Sequence, residues 1–176
     1  MRHLVALCLH CKGGGNYLDA EGISQGAAGW LNLELHTIER PAAVNVQRHR
    51  EDPSFLIGAA IMLRCSALKE IGGLDDKYFA YFEDNEICFR LIQSGYRLKI
   101  CDSTTAYHDN RRIARHSEQA VYLISRNAWY FWSKANGKTG SKISLLRHIL
   151  SYNLEIIISL ESVKERKKSR AAVRGI

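Results

Sequence analysis

The sequence predicts an α/β domain, and three observations predict it. Short apolar runs at residues 4–9 and 55–65 and an alternating stretch at 96–100 read as strands. Stretches with helical patterning alternate with them at residues 66–71, 84–94 and 117–134. The composition, 46% apolar and 24% charged over 176 residues, is that of an ordinary soluble globular chain and excludes bulk disorder. A chain near this size is about one domain by length and removes roughly 70% of its unfolded surface from water.

The elements follow in order. LVALCL (residues 4–9) reads as a short buried strand, broken by Gly13, Gly14 and Gly15. Residues 16–53 lack sustained periodicity and contain Gly22, Gly26, Gly29, Pro41 and Pro53, so long loops with short elements are expected. FLIGAAIMLRC (residues 55–65) is a continuous apolar run and predicts one strand buried on both faces. Ser66 is the expected cap of a short helix, ALKEI, that stops at Gly72 and Gly73. After a turn with an aromatic cluster, DNEICFRLIQS forms an amphipathic helix. Ile87 and Leu91 share one of its faces, Glu86 and Arg90 pair across one turn, and Gly95 stops it. YRLKIC then alternates Tyr96, Leu98 and Ile100 on one face, as a strand does. Ser117 opens a third helix to about Lys134, ended by Asn136 and Gly137, and a last helix is expected over residues 141–163.

Charge and cysteine usage narrow the partners. The net charge of +7 favours anionic partners without choosing among them. No run approaches the ~18 uncharged apolar residues of a membrane span. The best stretch, residues 145–160, is interrupted by Arg147, His148 and Glu155. Five scattered cysteines and no clear cleavage site after Arg2 predict a reducing, cytoplasmic compartment without a signal peptide. Cys8 and Cys11 flank His10 but have no second cluster, so a zinc site is not expected. Gly13–Gly15 is followed by no Lys-Ser/Thr pair and is not a phosphate loop.

Glu83 and Asp84 are the candidate chemical groups. A carboxylate at a helix N-terminus is held as the anion by the helix dipole and free amides. Such a group can accept the proton of a hydroxyl nucleophile, and Asp84 is the expected base, with Glu83 as a structural or positioning partner. The bland alternative is that both merely cap a helix. Tyr78, Phe79, Tyr81 and Phe82 form an expected aromatic wall that can stack on a sugar. Gly58 permits close approach to the backbone, whether of a ligand or of a packing neighbour.

The stretch from Gly58 to His108 resembles the inverting family-two glycosyltransferases, most closely their rhamnosyltransferase-like branch. The resemblance rests on ordered motifs: Gly58-Ala59-Ala60; Gly72-Gly73-Leu74-Asp75; Phe82-Glu83-Asp84 with Glu86; Arg90-Leu91 with Gly95-Tyr96; and His108. Arg126-Asn127 resembles the Arg-Asn pair of a downstream helix in that family. It implies a GT-A fold, Rossmann-like, of which this chain is expected to carry the acceptor-side part over residues 1–135, followed by a helix and basic tail over 136–176. The chain contains no Asp-x-Asp, so it is expected to lack most of the N-terminal nucleotide-binding half.

The implied activity is transfer of a sugar, rhamnose for the branch resembled, from a nucleotide-sugar to a polysaccharide or lipid-linked acceptor by inverting single displacement. The alternative is a non-catalytic carbohydrate- or partner-binding module derived from such an enzyme. The implied acceptor-side residues are Gly58, Ala59, Asp75, Tyr81, Phe82 and Glu83, with Asp75 equally readable as a turn-stabilising residue. A divalent metal, Mg or Mn, is implied, with its ligands mostly absent from this chain. His108 is the candidate metal ligand, and a surface or core histidine is its alternative. The aromatic run 129–132 reads as helix core, and beside the basic residues of 161–176 it also suits a membrane-facing edge. Peripheral association at the inner membrane face is thus expected, and nucleic acid is not.

Overall fold

The computed structural model describes residues 6–9, 28–34, 36–39, 52–101 and 117–135, with isolated positions at Leu146, Leu150, Ser151 and Arg174. In chain order these form β1 (Ala6–Leu9), β2 (Ala28–Asn32), β3 (Thr37–Glu39), β4 (Phe55–Leu56), a 3-10 turn (Gly58–Ala60), β5 (Ile61–Leu63), α1 (Cys65–Glu70), α2 (Glu83–Gln93), β6 (Leu98–Cys101) and α3 (Glu118–Ala135). Helices and open sheets are mixed, compatible with the expected α/β class. Among the described residues the strands make two sheets, ordered β5-β1-β6 and β3-β2-β4. In the first, β1 is central. It pairs antiparallel with β5, Ala6 opposite Leu63, and parallel with β6, Ala6 opposite Leu98. In the second, β2 pairs antiparallel with β4, Ala28 opposite Leu56.

The chain divides into two compact units. The first contains residues 38–77 and 83–112 with the N-terminal segment. Its core is Ala28, Phe55, Leu56, Ala67, Ile87, Cys88, Leu91 and Leu98, all buried. Ile87 and Leu91 supply the apolar stripe of α2, as their spacing requires. The Leu56 N–H donates to Cys88 Sγ at 3.4 Å, tying β4 to that stripe. Along β6, Leu98 is buried while Arg97 and Lys99 are exposed, the alternation read from YRLKIC.

Two local expectations are corrected here. Residues 55–65 are not one doubly buried strand: the run breaks into β4, the 3-10 turn and β5, and Gly58, Ala59 and Met62 are exposed. The small residues 58–60 bring no bulk to bury, and the Gly58 N–H is taken by a carboxylate rather than by a neighbouring strand. A short apolar run cannot by itself report such a break. Helix α1 begins two residues earlier than expected, with extended Arg64 at its cap and no side-chain capping bond, so Ser66 lies inside it. Its end is as read: Gly73 N–H bonds Leu68 O at 2.8 Å and Gly72 N–H bonds Lys69 O at 3.1 Å, a Schellman closure. The same closure ends α2 through Tyr96 and Gly95.

The second unit contains residues 32–37, 78–82 and 113–176. Ser117 Oγ accepts the Ala120 N–H at 3.1 Å and caps α3, as expected. The second half of the aromatic run is core, whereas Trp129 and Tyr130 are half-buried. Phe131 and Trp132 are buried with ring centroids 4.9 Å apart, and Trp132 meets His36 edge-on at 5.5 Å. Leu146, Leu150 and Ser151 are helical, and the rest of the last expected helix lies outside the described residues. No described helix is long and apolar enough to cross a membrane.

Candidate functional site

Asp84 is the second residue of α2, whose first turn also carries Glu83 and Glu86. Its Oδ2 accepts the Gly58 N–H at 3.1 Å and its Oδ1 accepts the Asn85 N–H at 2.8 Å. Both oxygens are thereby aimed by backbone donors, at the end of the helix where an anion is favoured. A Cβ on Gly58 would lie 3.2 Å from the Asp84 Cβ, so residue 58 is small because the carboxylate side chain approaches it. Of the two readings of Gly58, the structure contains the packing neighbour, and that neighbour is Asp84. Ala59 is exposed in the same 3-10 turn.

Glu83 is solvent-exposed at the first position of α2. Partial desolvation raises its carboxyl above the ordinary glutamate value, its own backbone N–H opposes that rise, and the neighbouring Asp84 charge adds to it. Adjacent carboxylates at one helix start are thus unequal in environment. Asn85 and Glu86, next in line, are almost fully buried, and neither was singled out from the sequence as a core polar residue. The Asn85 Nδ2 has no hydrogen-bond partner among the described residues.

Behind this turn, Arg90 grips Glu86 with two bonds, Nε to Oε1 at 2.6 Å and Nη2 to Oε2 at 2.8 Å. Its remaining donors reach the Ile71 carbonyl at 2.6 Å and the Gly73 carbonyl at 2.8 Å. One guanidinium therefore joins the glycine turn after α1 to the first turn of α2. Gly72 and Gly73 have φ of 84° and 83°, which explains why the turn needs glycine although open space surrounds both. Asp75 Oδ1 accepts the Lys77 N–H at 3.1 Å, so it stabilises its own turn.

The expected aromatic wall is divided. Tyr78 is buried and its ring lies 5.2 Å from that of Tyr130, so it is unavailable to a sugar, whereas Phe79 is 79% exposed. Phe82 packs at 5.7 Å from Phe131 within the second unit. Tyr81 and Phe82 have φ of 68° and 67°. Two consecutive bulky residues in the left-handed region are uncommon and cost about 1–2 kcal/mol each. Asn127, fully buried in α3, donates from Nδ2 to the carbonyls of Ala80 and Tyr81, both at 2.7 Å.

His108 lies outside the described residues. Among the described residues no group of three or more His, Cys, Asp or Glu side chains could hold a metal ion, so they do not by themselves fit the divalent metal that the resemblance implies.

No family model matches the chain. It is 35% identical over 82 residues to a pre-mycofactocin glycosyltransferase of Mycobacterium tuberculosis, covering 47% of this chain and 16% of that protein. It is 22% identical over 125 residues to an N-acetylglucosaminyl-diphospho-decaprenol L-rhamnosyltransferase of the same organism, covering 62% of this chain and 41% of that protein. Both relatives are glycosyltransferases. The similarity is partial and modest, and it supports a glycosyltransferase relationship at that coarse level. The chain spans less than half the length of either relative.

Proposed function

We propose that this chain is the acceptor-side part of an inverting GT-A glycosyltransferase, with Asp84 as the base. The observation that carries the reading is the Asp84 carboxylate, held at the start of α2 by the Gly58 and Asn85 amides. An acceptor hydroxyl oxygen attacks the anomeric carbon of a nucleotide-sugar. The bond from that carbon to the leaving phosphate oxygen breaks, and the nucleoside diphosphate departs with the electron pair. Asp84 takes the hydroxyl proton, and attack opposite the leaving group inverts the anomeric centre. Glu83 orients the acceptor beside the base.

A rhamnosyl donor and a lipid-linked acceptor are the finer reading. Support comes from the name of the rhamnosyltransferase relative, a name that carries an N-acetylglucosaminyl-diphospho-decaprenol. The six basic residues against two acidic ones in 161–176 suit an acidic, cytoplasmic membrane face. The test is Asp84→Asn in the intact protein. Asparagine keeps an oxygen for the Gly58 N–H but cannot take the proton. Transfer is expected to fall by about 10²–10⁴ with donor binding retained. Turnover like that of the unaltered protein overturns the base assignment. Glycan binding without any transfer by the unaltered protein would favour a binding module instead.

A further inference from the structure

We infer that Asn127 is a positioning residue for the chain that enters α2. This rests on the proposed role of Asp84 for its catalytic consequence, but its structural content stands apart from that role. The Tyr81–Phe82 bend has two consecutive non-glycine residues at positive φ, in a segment without glycine. Nothing local favours that conformation, so something distant in sequence must hold it. The Asn127 carboxamide does so. Both hydrogens of its Nδ2 are used, one on the Ala80 carbonyl and one on the Tyr81 carbonyl, each at 2.7 Å.

The orientation of the amide is determined. Its Oδ1 accepts the Arg126 Nε–H at 2.9 Å, and turning the group over would set that oxygen against two carbonyl oxygens. Asn127 is fully buried, so water does not compete for either bond. Phe131, one helical turn further along α3, packs against the Phe82 ring and braces the same bend. The next residues in the chain are Glu83 and Asp84, the start of α2. A side chain more than forty residues away thereby holds the bend that leads, through the next peptide bond, into the carboxylate pair.

The inference predicts separable effects for Asn127→Ala in the intact protein. The φ angles of Tyr81 and Phe82, read from NMR couplings and chemical shifts, leave the left-handed region. The kcat for transfer falls at least tenfold while the KM for the nucleotide-sugar changes less than twofold. Ser125→Ala is the control: Ser125 is equally buried in α3 and its hydroxyl has no hydrogen-bond partner among the described residues. It is expected to leave both φ angles positive. Where Asn127→Ala fails to fold, Asn127→Gln keeps two amide hydrogens on a longer stem and is expected to shift the same angles less completely.

Persistence of both positive φ angles in the folded Asn127 variants overturns the inference, whatever Asp84→Asn does. A lost bend with kcat unchanged in an active enzyme overturns the positioning role. A fully active Asp84→Asn overturns the base assignment alone and leaves the hold on the bend intact.

Discussion

The two segments that lead into and support α2 differ in where their conformations come from. Residues 65–77 run from α1 through the Gly72–Gly73 turn to Asp75, and each unusual backbone angle there falls on a glycine. Residues 78–82 reach equally unusual angles with Tyr81 and Phe82. In the first segment local chemistry and conformation agree: glycine at positive φ, a Schellman closure, and an aspartate bonding two residues ahead. In the second they disagree, and the Asn127 amide and the ring packing of Phe82 on Phe131 hold the bend against its preference. A conflict of this kind is kept only where the surroundings over-determine it, and here it lies immediately before the proposed base.

Beyond the Asp84 and Asn127 variants, three predictions sharpen the contrast. The largest effect on stability is expected from Arg90→Ala. It removes the guanidinium from a buried Glu86 and strips two carbonyls of their donor, which costs about 3 kcal/mol. Denaturant unfolding measures it, and a loss below about 1 kcal/mol would mean that the glycine turn holds itself. A smaller effect is expected from Gly72→Ala, about 1 kcal/mol, arising from its positive φ since no neighbour crowds the added methyl. A neutral Gly72→Ala would remove the claim that this turn is encoded locally.

The smallest effect is expected from Glu83→Gln and depends on pH. The Glu83 carboxyl is raised on folding, so the folded state holds its proton more tightly than the unfolded one. Stability from this group is present below the ordinary value of 4.5 and is lost as pH rises through the folded value. Glutamine removes that loss, so the variant is expected to be slightly more stable than the parent at neutral pH and indistinguishable from it under acid. Melting temperatures across that range check the sign, and exposure of Glu83 keeps the effect small.

Much of the fold was readable where one residue type answers to one local rule. Ile87 and Leu91 mark the buried face of α2, Gly95 its end, Ser117 the start of α3, and alternation in residues 96–100 the strand β6. The Glu86–Arg90 pair was readable from its spacing, but not that Arg90 also holds Ile71 and Gly73. The break at Gly58 was missed because an apolar run looks the same whether the chain continues straight or turns at a glycine. The partition of the aromatic cluster was missed for a related reason: Tyr78 and Phe79 are adjacent and alike in composition, yet one is buried and the other exposed.

The sequence by itself determined the strands β1 and β6, the glycine stops of α1 and α2, the cap of α3, and the placing of two carboxylates at a helix start. These depend on interactions within a few residues, which spacing and residue type express directly. Only the tertiary structure decided that Gly58 serves Asp84, that Arg90 closes the glycine turn, and that Asn127 holds a left-handed aromatic bend. Each of those is a contact between residues 17 to 47 positions apart, and hydrogen-bond direction across such a gap leaves no periodic trace in the chain.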